Sequence, residues 1–455
     1  MIHPGKILLA ASTAFLLIIL PQISHATNGY FTHGTSVAEK GLGGAGAAYS
    51  QDTLSAATNP AGMVWQGDRY DIGAGLFAPM RNYTSTGAPS APAGTPCGAN
   101  CPFSIGDGNQ NIDSENELFL IPQFGYNWKL SNDNTIGISV YGNGGMNSEY
   151  EGGSALLGPA GTTVQLPGTY GSGTAGVDLA QLFFSTTYAA KLSETSSWGI
   201  SGIIAYQTFE ATGLGNFAGF SSNPGKLSNQ GKDSSSGIGL RVGFQSELSD
   251  GLKFGASYQP EIDMGEFDDY AGLFAEKGDF DIPSTYTIGI AWQSGPGATV
   301  VFDIQGINYE DVAAVSNPIA GLTNGSCIPG STGGTGNACL GGSNGAGFGW
   351  ENITVYKLGY EWQANETWTW RVGYSKTDQP IPSSEALFNI LAPAVVEEHY
   401  TLGFSKMIDE NSSLNFAAML APSSSLTGPN TFDPNQSIEL EMDQYELFMT
   451  YNRSL

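Results

Sequence analysis

Positive charge is scarce in this chain. Lys and Arg total 16 against 42 Asp and Glu, a formal charge of −26. A balance this acidic argues against a nucleic-acid binder, which needs a basic footprint. Charged residues of either sign make up 13%, about half the usual ~25%. Beyond the N-terminus no run of 18 or more apolar residues occurs, which excludes a bundle of membrane-spanning helices. There are four histidines and four cysteines. Disorder is excluded as well, because 40% of residues are hydrophobic and 11% aromatic. What the chain has in excess is glycine, 63 of 455 residues, about twice the ordinary ~7%. A glycine-rich, aromatic-rich, lightly charged chain suits strands and turns better than helices.

The first residues read as an export signal. Lys6 provides the positive region, Ile7 to Leu20 is apolar except for Ser12 and Thr13, and Ser24-His25-Ala26 is a small-x-small cleavage site. The expected division is a signal peptide over residues 1–26 and a mature chain starting at Thr27. The cysteines fall into two close pairs, Cys97 with Cys101 and Cys327 with Cys339, each in a Gly/Pro/Ser/Asn-rich stretch. In an exported protein these read as two local disulfides that pin loops. The mature chain keeps only His33 and His399, so no Cys/His zinc pattern can be assembled and neither metal nor cofactor is expected.

From about Arg69 the chain alternates apolar and polar residues. Ile238, Leu240, Val242 and Phe244 point one way and Gly239, Arg241, Gly243 and Gln245 the other. After the turn Ser249-Asp250-Gly251, Leu252, Phe254, Ala256 and Tyr258 alternate with Lys253, Gly255, Ser257 and Gln259. The same pattern runs through Tyr356–Trp362, Trp368–Tyr374, Tyr400–Phe404 and Tyr445–Tyr451. Six short turns fall near Lys129–Asn134, Glu194–Ser197, Ser249–Gly251, Ser294–Gly297, Gln363–Thr367 and Met407–Ser412. Seven long loops fall near Ser85–Ser114, Glu151–Ala175, Gly213–Asp233, Gly265–Ile282, Glu310–Trp350, Gln379–Glu397 and Ser423–Glu441. Thirteen connections join fourteen strands. An even strand count with short turns on one rim and long loops on the other is the pattern of an antiparallel transmembrane β-barrel of an outer membrane. A soluble all-β sandwich or propeller would show the same alternation; the export signal, the aromatic-rich apolar faces and the alternating loop lengths favour the barrel.

Thr27 to Gly67 lacks this alternation and is too small and glycine-rich to hold a core alone. Ahead of a barrel (residues 68–455), it has a place to fold inside the lumen. The stretches NGYFTHG (28–34), KGLGGAGAAYSQDTLSAATNPAGM (40–63), YGNGGMNSEY (141–150), GVDLAQLFF (176–184), PSTYTIGIAW (283–292) and FNILAPAVVEEHYTLGFS (388–405) resemble the FadL/TodX outer-membrane transporters of hydrophobic compounds. The resemblance spans nearly the whole mature chain and is most specific in the block ending at Asn59-Pro60-Ala61. It implies a fourteen-stranded barrel plugged by an N-terminal hatch (27–67), in the outer membrane of a Gram-negative bacterium among lipid and lipopolysaccharide. It also implies a monomer, folded by the barrel-assembly machinery. Such barrels usually end in an aromatic residue; this chain ends in Leu455, which bears on assembly.

Several residues carry the expected chemistry. Asn143-Gly144-Gly145 lies inside the third strand, where two glycines permit a kink or allow close packing of the hatch. The resemblance implies a lateral opening there, with Asn59-Pro60-Ala61 beside it. Pro60 fixes a turn, and the Asn59 side chain can bond a freed strand group. Tyr30 and Phe31 either line the substrate pocket or pack the hatch against the wall. By strand parity Arg241, Lys253, Lys357 and Arg371 face inward, either to meet a fatty-acid carboxylate or to pair with Glu247 and Glu361. Asp107–Glu117 is oxygen-rich, but Ile112 occupies the glycine position of an EF-hand, so a solvated loop is expected. Glu397, Glu398 and His399 alternate across a strand and are assigned no catalysis. The expected function is uptake of hydrophobic small molecules, long-chain fatty acids or hydrocarbons, without enzyme activity. The alternatives are a general porin or adhesin, or an outer-membrane lipid enzyme.

Overall fold

A computed structural model describes residues 27–97, 101–158 and 161–455. The expected signal peptide, residues 1–26, lies outside the described residues. Fourteen long strands form the wall: β1 (Arg69–Thr86), β2 (Phe119–Lys129), β3 (Asn134–Tyr150), β4 (Ala175–Lys191), β5 (Ser196–Thr212), β6 (Asp233–Ser249) and β7 (Leu252–Gln259). They continue as β8 (Thr285–Gly295), β9 (Ala298–Ile307), β10 (Ile353–Gln363), β11 (Trp368–Lys376), β12 (Glu398–Asp409), β13 (Ser412–Asn430) and β14 (Asp433–Ser454). Each pairs antiparallel with its neighbours in sequence. The ladder Ser437↔Thr86 to Ser454↔Arg69 joins β14 to β1 and closes the barrel. The strand number is the one the alternation implies, and closure removes the free edges that an open sheet would present.

Alternation sets which way each side chain points. Ile238, Leu240, Val242 and Phe244 of β6 are exposed, Ile238 at 82%, whereas Arg241 and Gln245 are buried. An apolar face that stays exposed on a closed barrel is what a lipid solvent requires, and the inward face is small and polar. Trp128, Trp198 and Trp292 stand on the outer face close to the short turns, the position of an aromatic belt at a membrane interface. No described helix is long and apolar enough to cross a membrane; the spans are strands.

The six short turns are found where expected. The last expected loop, Ser423–Glu441, is a correction: β13 and β14 continue through it as a hairpin, with only Thr431 and Phe432 between them. This stretch rises past the apolar band, so both of its faces are largely polar and alternation fades. Three further short pairings occupy the long-loop rim: Asn109–Asp113 against β1, and Ser154–Leu157 against both Ser104–Ile105 and Val164–Pro167. The oxygen-rich segment 107–117 is therefore partly strand, and no metal-holding cluster of His, Cys, Asp or Glu occurs among the described residues. Both disulfides are formed, Cys97–Cys101 and Cys327–Cys339, each in a long-rim loop.

Candidate functional site

The N-terminal segment is tied to inward-facing residues all round the wall. A short helix, Val37–Lys40, and two 3₁₀ turns, Thr53–Ala57 and Pro60–Trp65, are its only helical pieces. Asp303 of β9 accepts from Gly46 N at 2.8 Å and Ala47 N at 2.9 Å. Lys357 of β10 donates to His33 O at 2.9 Å and Gly44 O at 3.3 Å. Lys40 forms an ion pair with Glu446 of β14 at 2.8 Å. Thr401 of β12 accepts from Gly43 N, and Ser197 of β5 donates to Ala61 O. The two histidines meet: the His33 ring stacks on His399 of β12 at 5.6 Å. Backbone groups in a glycine-rich segment cannot satisfy one another as a helix or sheet would, so the inward polar side chains of the wall do it. Glycines on the wall permit the approach: a Cβ on Gly373 would lie 2.0 Å from Gly43 N.

Asn59 caps the Pro60–Trp65 turn, accepting from Ala61 N at 3.1 Å. Its amide donates to Ala47 O at 2.7 Å and to Phe244 O at 3.0 Å. The strand group it bonds thus belongs to β6, not to β3. Pro60 sits at the first helical position, where its missing N–H costs nothing.

The third strand departs from the rest of the wall. Its ladder with β2 runs from Lys129↔Thr135 to Phe124↔Val140 and stops there. Its register with β4 slips between Gln181↔Gly144 and Leu182↔Gly142, leaving Asn143 as the extra residue of a bulge. Alternation of burial also ends at Val140; Tyr141 to Ser148 are all buried. Here the N-terminal segment takes the place of a wall strand. Phe31 pairs with Gly144, and Gly145 N donates to Tyr30 O at 3.0 Å. A Cβ on Gly144 would stand 2.2 Å from Tyr30 O, so the glycine pair serves both the bulge and the close contact. Higher up, Glu115 N bonds Glu149 O at 2.8 Å, bridging the connection between β1 and β2 back to β3.

Tyr30 and Phe31 are both buried, at the centre of an aromatic cluster. Tyr309 is 5.3 Å, Trp350 5.9 Å and Phe280 6.1 Å from the Tyr30 ring. Tyr309 also accepts from Tyr30 N at 3.1 Å. Beyond Trp350, Phe209, Phe217, Phe274, Phe348, Phe388 and Leu391 line a narrow apolar cleft of about 30 Å³ among the long-rim loops. Sequence reading missed these residues: apart from Phe209, which lies on β5, they sit outside the wall strands, with no period to reveal them. It also missed an amide ladder inside the wall: Asn143 donates to Gln181 at 2.9 Å, Gln181 to Gln207 at 3.1 Å, and Gln207 to Phe280 O at 2.8 Å. Three glutamine or asparagine positions on inward parity were the available signal.

The four inward cations separate. Arg371 pairs with Glu361 at 2.7 Å and also bonds Gln51 and Ser405. Lys253 is exposed and lines a polar cavity of about 490 Å³ at the short-turn end, with Tyr49, Glu247 and Glu361. Arg241 and Lys357 are buried and line one small cavity together with Phe31 and Asn143. Arg241 bonds the neutral Gln259 at 2.7 Å, and Lys357 bonds the two carbonyls above.

A barrel with this inward segment and broken third strand can be compared with known proteins. Residues 23–445 match the profile described as outer membrane protein transport protein (OMPP1/FadL/TodX). The chain belongs to this family. It is therefore an outer-membrane transport protein for hydrophobic compounds. Among solved structures, the toluene transporter TodX of Pseudomonas putida is similar at 17% identity and TM-score 0.63, over 94% of this chain and 100% of that one. A FadL homologue of Pseudomonas aeruginosa aligns at 13% identity and TM-score 0.63, over 94% and 99%. The toluene transporter TbuX of Ralstonia pickettii aligns at 16% identity and TM-score 0.58, over 93% and 99%. At these identities the likeness establishes the fold. No curated protein matches the chain in sequence.

Proposed function

We propose that this barrel takes up hydrophobic small molecules by holding them in the apolar cleft behind Trp350 and releasing them sideways through the wall at Asn143–Gly145. One observation carries this reading: the β2–β3 ladder lapses beyond Val140, and the strand's free backbone groups are capped by Tyr30 and Phe31. Other ladders also end early, as β6–β7 does at Val242↔Tyr258, but at β3 the N-terminal segment pairs with the freed backbone, so a ligand can leave here by displacing that segment rather than by breaking a strand ladder. Residues 27–67 act as the hatch that keeps the lumen closed to ions. Tyr30 and Phe31 are the stopper between cleft and wall, and Asn59-Pro60-Ala61 anchors the hatch on β6. Arg241 and Lys357 meet the polar head of any acidic substrate that passes. The solved relatives carry toluene by their descriptions; this chain takes that substrate class or fatty acids.

The test removes the bulge. Deleting Asn143 brings Gly142↔Leu182 and Gly144↔Gln181 into one continuous register. Proteoliposomes carrying the deletion are expected to lose most uptake of a hydrophobic solute, while the barrel still forms as judged by heat-modifiable gel migration. Unchanged uptake overturns lateral release. Steady ion conductance of the wild type in planar bilayers would mark an open porin instead.

A further inference from the structure

Among the described residues five cations are buried: Lys40, Arg81, Arg241, Lys357 and Arg371. Lys40 and Arg371 have carboxylate partners. Arg81 has none within ion-pairing distance among the described residues. It is 5% exposed on the inward face of β1, and its one printed hydrogen bond runs from Nη2 to the carbonyl of Asn116 at 2.8 Å. Its Nε is buried with no acceptor in reach. Glu117 and Tyr150 are the ionisable groups facing it, and neither forms an ion pair or hydrogen bond with it. A guanidinium taken out of water and left without a carboxylate is costly, and a protein relieves that cost by pairing the charge.

Arg81 lines a cavity of about 30 Å³ with Met146, Asn147, Trp350, Leu391 and Gln444. Three facts place it on the transport route. Gly145 and Met146 of the broken third strand form one side of the cavity, and Gly29 of the N-terminal segment forms another. Leu391 is shared with the apolar cleft, so the two spaces adjoin. The two spaces differ in lining: Arg81, Asn147 and Gln444 bring polar groups to this cavity, whereas the cleft is lined by apolar residues and one glycine, so a polar head suits the first and an alkyl tail the second.

We propose that Arg81 is the anchor for the carboxylate head of a long-chain amphiphile whose tail occupies the adjoining cleft, so that the substrate is an acid rather than a neutral hydrocarbon. The site rests on the uptake reading above. It is separate from the Arg241 and Lys357 cavity, which lies beside Phe31 rather than Gly29. A planar guanidinium can take both carboxylate oxygens at once, and the free Nε is one of the donors such a fork needs.

The test uses the full mature protein in detergent at pH 8, titrated with a dibrominated C18 acid and with its methyl ester. Quenching of tryptophan fluorescence reports binding, since Trp350 lines the cavity. The wild type is expected to bind the acid at least about tenfold more tightly than the ester. Arg81→Gln is expected to lower acid affinity by about tenfold or more and to leave the ester unchanged. Arg81→Lys keeps the charge without the fork and is expected to fall between, which also decides the matter if the glutamine variant does not fold. Equal loss for acid and ester, or no loss for either, overturns the Arg81 site while leaving uptake intact. A wild type that binds neither ligand overturns the uptake reading itself.

Discussion

Replacing Glu446 by Gln keeps its size and removes the only carboxylate that pairs with Lys40 among the described residues. The pair joins the N-terminal segment to β14; Nζ and Oε1 are 2.8 Å apart, and the two side chains are 3% and 2% exposed. Orphaning one member of a buried pair costs about 3–5 kcal/mol. Two contacts survive the change, a 3.1 Å bond from Lys40 to Thr32 and the Phe448 ring 4.3 Å beneath the ammonium. A desolvated cation–π contact is worth up to about 2 kcal/mol, and the Gln carbonyl still accepts a neutral bond. The net loss is then about 2–3 kcal/mol, a roughly 30- to 150-fold shift toward the undocked segment at 1.4 kcal/mol per tenfold. Hydrogen exchange of the amides of residues 37–47 measures it directly, because Lys40 N, Gly43 N, Gly44 N, Gly46 N and Ala47 N are all bonded in the docked state. The double variant Lys40→Met, Glu446→Gln leaves no orphan charge and is expected to recover most of the protection. Exchange that is unchanged in Glu446→Gln, or a double variant as loose as the single, refutes the argument that this ion pair docks the segment.

Two further outcomes follow from the structure. Gly144→Val places a Cβ 2.2 Å from Tyr30 O, where the backbone cannot yield without losing the Gly145–Tyr30 bond; Tyr30 and Phe31 are expected to detach from β3, seen as new protease cleavage near residue 31 and altered uptake. In the loop between β7 and β8, burial, followed by the neighbouring Asp281, pushes Asp279 up to about 7, and burial likewise pushes Asp281 up to about 6. Both values stand above the ordinary carboxylate value of 3.8, so the unfolded loop ionises first. Loop stability is therefore highest below about pH 4, falls as pH rises to about 7, and is flat beyond. Proteolysis of residues 260–284 should be slower at pH 5 than at pH 8, and Asp279→Asn should remove much of the difference; equal rates at both pH values contradict the assignment.

Much of the wall was legible because lipid is its solvent. A strand such as Ile238 to Phe244 must present apolar residues outward at period two, and that period survives in the sequence. Where both faces become polar above the membrane, as in 423–441, the same strands read as loop. The N-terminal segment could be recognised as not belonging to the wall, since Lys40 to Ala48 has neither period nor core. Which wall residues hold it could not be read, because Asp303, Lys357 and Glu446 are separated from it by hundreds of residues and meet it only on closure.

The sequence by itself determined the architecture: alternate side chains of opposite solvent preference between turn-forming residues, together with the export signal, the aromatic-rich apolar faces and the alternating loop lengths, favour one closed sheet of fourteen strands. It also marked residues 143–145 as a weak point, because two glycines contribute no side-chain packing to a strand. Only the tertiary structure decided what that weakness does. Closure places β2 beside β3 but lets their ladder end at Val140, and it brings Tyr30 and Phe31 to the exposed backbone. It sorted the inward cations too, giving Arg371 a carboxylate and leaving Arg241 and Lys357 with neutral partners. Parity fixes only the face a side chain occupies; which neighbour it meets depends on the register and stagger of the whole barrel.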